Sequence, residues 1–182
     1  MSEGTTLSPS PAIYGRTARD LLGRTHRRDL RGARAALETF YHAFNAGDLQ
    51  LLLSVWADDA LIQSDSPLRG VARGLEQVAA LYRPLLLGGG LTWLQFDDVV
   101  EISTEESVVF TGVERGILAA ADDVVPLRIR TTRCFGWIEA AAAWRLVHHH
   151  GSIDEPMSLT RYQRAAGFLT TPAWPRNAAG GL

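Results

Sequence analysis

The sequence predicts an α+β domain: a cone-shaped, curved antiparallel sheet of four to six strands with three helices on the concave face. Three observations lead there. Apolar residues recur at helical spacing three times before residue 88, and from Leu91 to Ser152 the pattern turns strand-like. The connections between those strand-like runs are only a few residues long, so neighbouring strands pair antiparallel. Helices first and strands second put the helices together on one sheet face.

The first helix spans Arg31–Ala46, where Leu37, Phe40, Tyr41 and Phe44 form one apolar stripe, and Gly47 ends it. Asp48 caps a short helix over Leu49–Trp56, with Leu52, Val55 and Trp56 facing inward. Ala60–Gln63 reads as a short strand and Ser64–Gly70 as a loop. A third helix covers Leu75–Leu87 through Val78, Leu81, Tyr82 and Leu85, stopped by Gly88-Gly89-Gly90. Strands follow over Leu91–Ile102, Ser107–Ala120, Val124–Ile138 and Trp144–Ser152. Residues 153–167 leave room for a short terminal helix. Residues 1–15, rich in Ser, Thr, Pro and Gly, read as a disordered tail, and residues 169–182 as a second tail. Between tail and core, residues 16–32 form an arginine-dense helical arm: a solvated surface with its acids near its bases, or a contact to an anionic partner.

Composition removes several functions. The chain has 182 residues, net charge -2 and one cysteine, Cys134. That excludes a disulfide framework, a multi-cysteine zinc site and a global basic field for nucleic acid. All 18 basic residues are arginine, so Schiff-base and Walker-type lysine chemistry is impossible. No apolar run approaches a membrane span and no export signal precedes the fold, so the expectation is a cytoplasmic protein without membrane contact. Gly88-Gly89-Gly90 follows a helix instead of opening one, so it is no phosphate loop. No cofactor fingerprint is found.

Four stretches carry a family resemblance: Phe40–Asp48, Val55-Trp56-Ala57-Asp58-Asp59-Ala60, Leu68-Arg69-Gly70 with Ala79–Arg83, and Trp144–Ser152. Together they resemble the SnoaL-like, nuclear transport factor 2-like superfamily, in its ketosteroid isomerase-like branch. The resemblance implies a domain over 33–168 and an apolar cone cavity. It also implies activities that range from isomerase, cyclase and dehydratase to non-catalytic binding or dimerisation. The steroid isomerase constellation does not carry over. Its oxyanion tyrosine falls on Phe40, its base on Ser64 and its second oxyanion acid near Arg128, leaving Tyr82 as the retained helical tyrosine.

The candidate chemistry then rests on few residues. Strand alternation puts His148 and His150 on one face with Trp144 and Leu146, and the resemblance turns that face to the cavity, with His149 outside. These histidines are polar liners, a general acid and base, or a metal pair needing His42, Asp65 or Glu114 as third ligand. Asp65, at the cavity mouth, is a turn residue or a base. Arg128 and Arg130 share one face and Arg133 the other, serving an anionic ligand or surface ion pairs.

The expected function is a small cofactor-independent enzyme moving protons on an apolar, polycyclic or polyketide-like molecule, or a ligand-binding or dimerisation module of the same fold. Asp65, His150 and His148 are the candidate catalytic residues. Phe40, Phe44, Trp56, Ser64, Tyr82, Arg128 and Leu146 are the candidate cavity wall, with no metal. A homodimer is expected across the uncovered sheet face, with Phe135 and Trp137 outward.

Overall fold

A computed structural model describes residues 4–88, 91–120 and 123–169. One seven-stranded sheet runs in the order β1-β4-β5-β6-β7-β2-β3, open at both edges. Its strands are β1 (Thr6–Pro9), β2 (Gln63–Asp65), β3 (Val71–Arg73), β4 (Leu91–Ser103), β5 (Ser107–Ala120), β6 (Asp123–Ile138) and β7 (Ala143–Ser152). Helices α1 (Leu30–Ala46), α2 (Leu49–Val55) and α3 (Gly74–Leu87) cover its concave side, and α4 (Pro156–Ala165) follows the last strand.

The three expected helices form where the apolar stripes put them. Leu37, Phe40, Tyr41 and Phe44 of α1 are all buried, as are Val78, Leu81, Tyr82 and Leu85 of α3. Asp29 caps α1 by accepting from Gly32 N at 3.1 Å, and Gly47 closes it at φ 71°, where a residue without Cβ is favoured. The helix expected in the terminal stretch is α4, capped by Glu155, which accepts from Met157 N at 2.9 Å.

Several expectations are corrected. The sheet has seven strands and is mixed, because β2 pairs in parallel with β7. The short strand expected over Ala60–Gln63 lies at Gln63–Asp65 instead, as β2, so Ser64 and Asp65 leave the expected loop, and Val71–Arg73 return beside it as the hairpin strand β3. The amino-terminal segment is no disordered tail over its described part. Thr6–Pro9 add an edge strand to β4, and Tyr14 is buried against Tyr41 and Phe96. The arginine-rich arm is a series of turns around a single 3-10 turn, Leu22–Arg24, not a helix. Its polar backbone is satisfied by the core instead: Trp144 N donates to Thr25 O at 3.0 Å and Leu21 N to Thr39 Oγ1 at 2.9 Å. The expected tail beyond Leu169 lies outside the described residues.

Two irregularities bend the sheet into a cone. In β4 the register against β5 slips between Asp97 and Val100, with Asp98 at φ 53°. Gly112 faces that bulge, and a Cβ there would sit 2.6 Å from Asp97 O. In β7 the second slip has larger consequences for function. Cys134 pairs with His148 and Phe135 with Leu146, so Val147 is an extra residue on its strand.

Candidate functional site

The Val147 bulge reverses side-chain alternation halfway along β7. Trp144 and Leu146 point into the cone and are buried, as expected, but beyond the bulge it is His149 that points inward, 5% exposed. His148 and His150 are turned to the outer face. This corrects the expected orientation of all three histidines, since an extra residue shifts a period of two by one step. On the neighbouring β6 the inward series is Val125, Leu127, Ile129, Thr131, Arg133 and Phe135, all buried. Phe135 therefore meets Phe110 inside, and Trp137 packs on Trp144, so neither dresses the outer face as expected. Arg128 is exposed on that outer face and is not a cavity residue.

A buried polar cluster stands at the centre of the cone. Arg133 donates from Nη2 to Glu114 Oε1 at 2.5 Å, both side chains at most 3% exposed. Tyr41 OH donates to the same Glu114 oxygen at 2.7 Å, and Thr131 Oγ1 donates to Oε2 at 2.9 Å. Arg133 Nε reaches the Tyr41 hydroxyl oxygen at 3.1 Å, and its guanidinium lies 3.8 Å from the centroid of the Phe40 ring. A buried ion pair is sustained only when its remaining hydrogen-bonding capacity is met, and here it is met on the Glu114 side. On the other side Arg133 Nη1, His149 Nδ1 and Ser64 Oγ make no hydrogen bond of ordinary geometry, and the neighbour that Arg133 and Ser64 share there is the Tyr82 hydroxyl.

Electrostatics assigns states to the cluster. Burial, reinforced by the Arg133 charge, holds the His149 imidazole well below its ordinary pKa, so it is neutral at pH 7. Burial raises the Tyr41, Tyr82 and Tyr162 phenols, which stay protonated. The cluster thus offers a fixed cation edge, a neutral imidazole and phenolic donors.

Little free space remains beside it. The cavity bordered by Phe44, Tyr82, Glu114, Arg133, His149 and Tyr162 measures about 20 Å³, room for one water. Tyr162 comes from α4, is the one buried residue of that helix and lies against the cavity. Gln163 Nε2 ties α4 to Pro67 O at 2.7 Å, and Arg161 pairs with Asp123.

The structure brings the other candidates together differently from expectation. Phe40, Phe44 and Tyr82 surround the cluster, and Ser64, fully buried, sits on β2 beside β7. Trp56 and Leu146 are buried core, joined by a parallel bridge. Asp65 and His150 are register partners whose side chains meet at 3.0 Å, but on the solvent side of the sheet, away from the cone. Among the described residues no three His, Cys, Asp or Glu side chains converge as a metal site. Sequence reasoning misses Tyr41, Thr131, His149 and Tyr162 as site residues, and it reaches Arg133 only as one of three strand arginines that serve an anionic ligand or ion pairs. For β6 the signal was present, because alternation from Ile129 leads inward to Thr131 and Arg133.

A SnoaL-like domain family model matches residues 33–156. The chain belongs to the SnoaL-like domain family. Helix α4 lies almost wholly beyond the residues of that SnoaL-like match. Among solved structures, one assigned as a calcium/calmodulin-dependent protein kinase type II association domain, from Thiobacillus denitrificans, is 31% identical. It covers 67% of this chain and 94% of its own, with a TM-score of 0.55. A structure assigned as a dehydratase of the nuclear transport factor 2-like family, from Streptomyces avermitilis, is 22% identical. It covers 68% and 95%, with a TM-score of 0.58. A ketosteroid isomerase-like protein from Erwinia carotovora atroseptica is 18% identical over 71% and 99%, with a TM-score of 0.57. The last two show the fold alone. No curated protein matches the chain. No helix among the described residues is long and apolar enough to cross a membrane.

Proposed function

We propose that this SnoaL-like chain is a small-molecule-binding domain whose cone takes an apolar, ring-bearing compound and holds its carboxylate or carbonyl oxygen on Arg133. The observation that carries the reading is the unpartnered Nη1 of Arg133, buried beside two further unpartnered polar atoms. Buried donors without acceptors are costly, and a ligand oxygen on that edge would satisfy them with a charge-assisted bond. The aromatic wall of Phe40, Phe44 and Tyr82 suits an apolar ring. Entry requires α4 to move, since Tyr162 occupies the room a ligand needs.

Calorimetry with 2-naphthoate tests this. Tyr162→Ala should bind the probe about tenfold or more tightly than the parent, because side-chain volume in the mouth is removed. In the same background the Arg133→Met, Glu114→Leu pair should abolish that gain. Equal affinity with and without the Arg133–Glu114 pair would sink the reading.

A second reading, proton transfer of the isomerase, cyclase or dehydratase type, is favoured by one feature: neutral His149 presents an unpartnered Nδ1 able to accept a proton. Its depressed basicity makes it a weak base, so binding leads. The Asp65–His150 pair supports neither reading, since it faces away from the cone.

We further propose that the helix-free sheet face self-associates. Outward residues there include Val109, Val113, Ile117 and Cys134, half-buried already in the single chain, and the 31% identical structure assigned as an association domain supports the same reading. Sedimentation should give a dimer or larger assembly at micromolar concentration, and Val113→Glu should shift it toward monomer. A parent chain that sediments as a monomer rejects the proposal.

A further inference from the structure

We propose that the arginine-rich arm and the outer face of α1 form a second site, separate from the cone, for a compact multivalent anion of the pyrophosphate or triphosphate type. The arm folds back along α1, so that residues separate in sequence converge. Arg19, Arg24 and Arg27 of the arm and Arg31 and Arg34 of α1 line one groove of about 280 Å³, together with Leu21, Ala35 and Glu38. On α1 the spacing Arg31, Arg34 or Ala35, Glu38 is one helical stripe. The groove is built on rigid supports. His26 Nδ1 lies 2.8 Å from Ala142 O, Trp144 Nε1 donates to Arg27 O at 2.9 Å, and Arg145 Nη1 donates to Thr25 Oγ1 at 3.1 Å. At Gly32 arm and helix touch so closely that a Cβ would meet Arg27 O at 2.0 Å.

The charges in the groove are unequally used. Arg34 is held by Glu101, a carboxylate 1% exposed, through three contacts of 2.6–3.2 Å. Arg19 bonds Glu38 at 3.1 Å, and Arg27 has an exposed contact to Asp29 at 3.2 Å. Arg24 and Arg31 are exposed and pair with no described carboxylate. Several cations in one small concavity, two of them free, repel each other unless an anion enters. Guanidinium forks match phosphate oxygens bidentately, which favours a phosphate-bearing anion over a lone carboxylate. The groove is also compact and bounded by Glu38, so it suits a di- or triphosphate better than an extended acidic peptide or nucleic acid strand.

The test is calorimetric titration of the full chain with inorganic pyrophosphate and tripolyphosphate at about 0.15 M salt, where weak surface attraction is screened. Saturable 1:1 binding is expected. Arg24→Gln and Arg31→Gln should each weaken it by about tenfold, the loss of one charge-assisted contact. Both positions are exposed, and circular dichroism should show the fold unchanged. Arg128→Gln, on the sheet face, should leave binding intact. The proposal is overturned by absence of saturable binding, or by equal weakening in Arg128→Gln. It is likewise overturned if a glutamate-rich peptide or a single-stranded oligonucleotide binds more tightly through Arg24 and Arg31 than either phosphate does.

Discussion

Replacing Glu114 by Gln should lower the unfolding free energy by about 3–5 kcal/mol, as breaking one side of a buried ion pair does. Gln fills the same volume, so no cavity term enters. What changes is charge: Arg133 cannot shed its proton, and it remains at 2% exposure with nothing to neutralise it. Tyr41 OH and Thr131 Oγ1 donate to different oxygens of Glu114, and Gln keeps only one acceptor, so one of the two donors faces an amide NH2 instead, which adds to the cost. For a chain of this size the loss corresponds to a melting-point drop of roughly 10 °C. The double replacement Glu114→Leu with Arg133→Met removes both charges and should recover at least half of the loss, since paired apolar substitutes are often neutral. Urea denaturation of the three proteins checks both statements. A Glu114→Gln loss below about 1 kcal/mol would falsify the buried-pair account.

The second large effect is a pH dependence set by His149. Its folded-state pKa lies well below the ordinary 6.5, because burial and the Arg133 charge disfavour the imidazolium. Above pH 6.5 the ring is neutral in both folded and unfolded chains and contributes no slope. As pH falls below 6.5, the unfolded chain takes up a proton that the folded chain refuses. Stability is therefore lost progressively toward the depressed folded pKa, with a limiting slope of about 1.4 kcal/mol per pH unit. Carboxylates add their own acid dependence, so the diagnostic is a difference. His149→Gln should flatten the profile between pH 6.5 and the onset of carboxylate titration. Superimposable profiles for the parent and His149→Gln would show that the ring is not held neutral.

The second expectation depends on a side-chain orientation that alternation alone reads in reverse. The run Trp144-Arg145-Leu146-Val147-His148-His149-His150 has a strict period of two, which puts His148 and His150 with Leu146. One extra residue at Val147 puts His149 there instead. Nothing in the run marks Val147 as a bulge: it is neither glycine nor a turn former, and the slip arises from how β7 pairs with β6.

The sequence by itself determined the α1, α2 and α3 stripes, the four long strands, the helix-before-strand order and the SnoaL-like resemblance. Each of these is written in local periodicity or in short contiguous motifs, which need no distant partner to be read. Phe40, Phe44, Ser64 and Tyr82 can be singled out for the same reason, as positions of helices and motifs, and the structure places them around the buried cluster. Tertiary structure alone decided the remainder. It brought Glu114 of β5, Arg133 of β6, Tyr41 of α1 and His149 of β7 into one buried cluster, and it moved Asp65 and His150 together to the solvent side. It also laid Tyr162 into the cone and folded an arm with no periodic pattern onto α1. The physical reason is common to all of these. Burial of a charge is tolerated only when distant groups arrive to pair with it, and strand register, which brings them, is a property of neighbouring strands together.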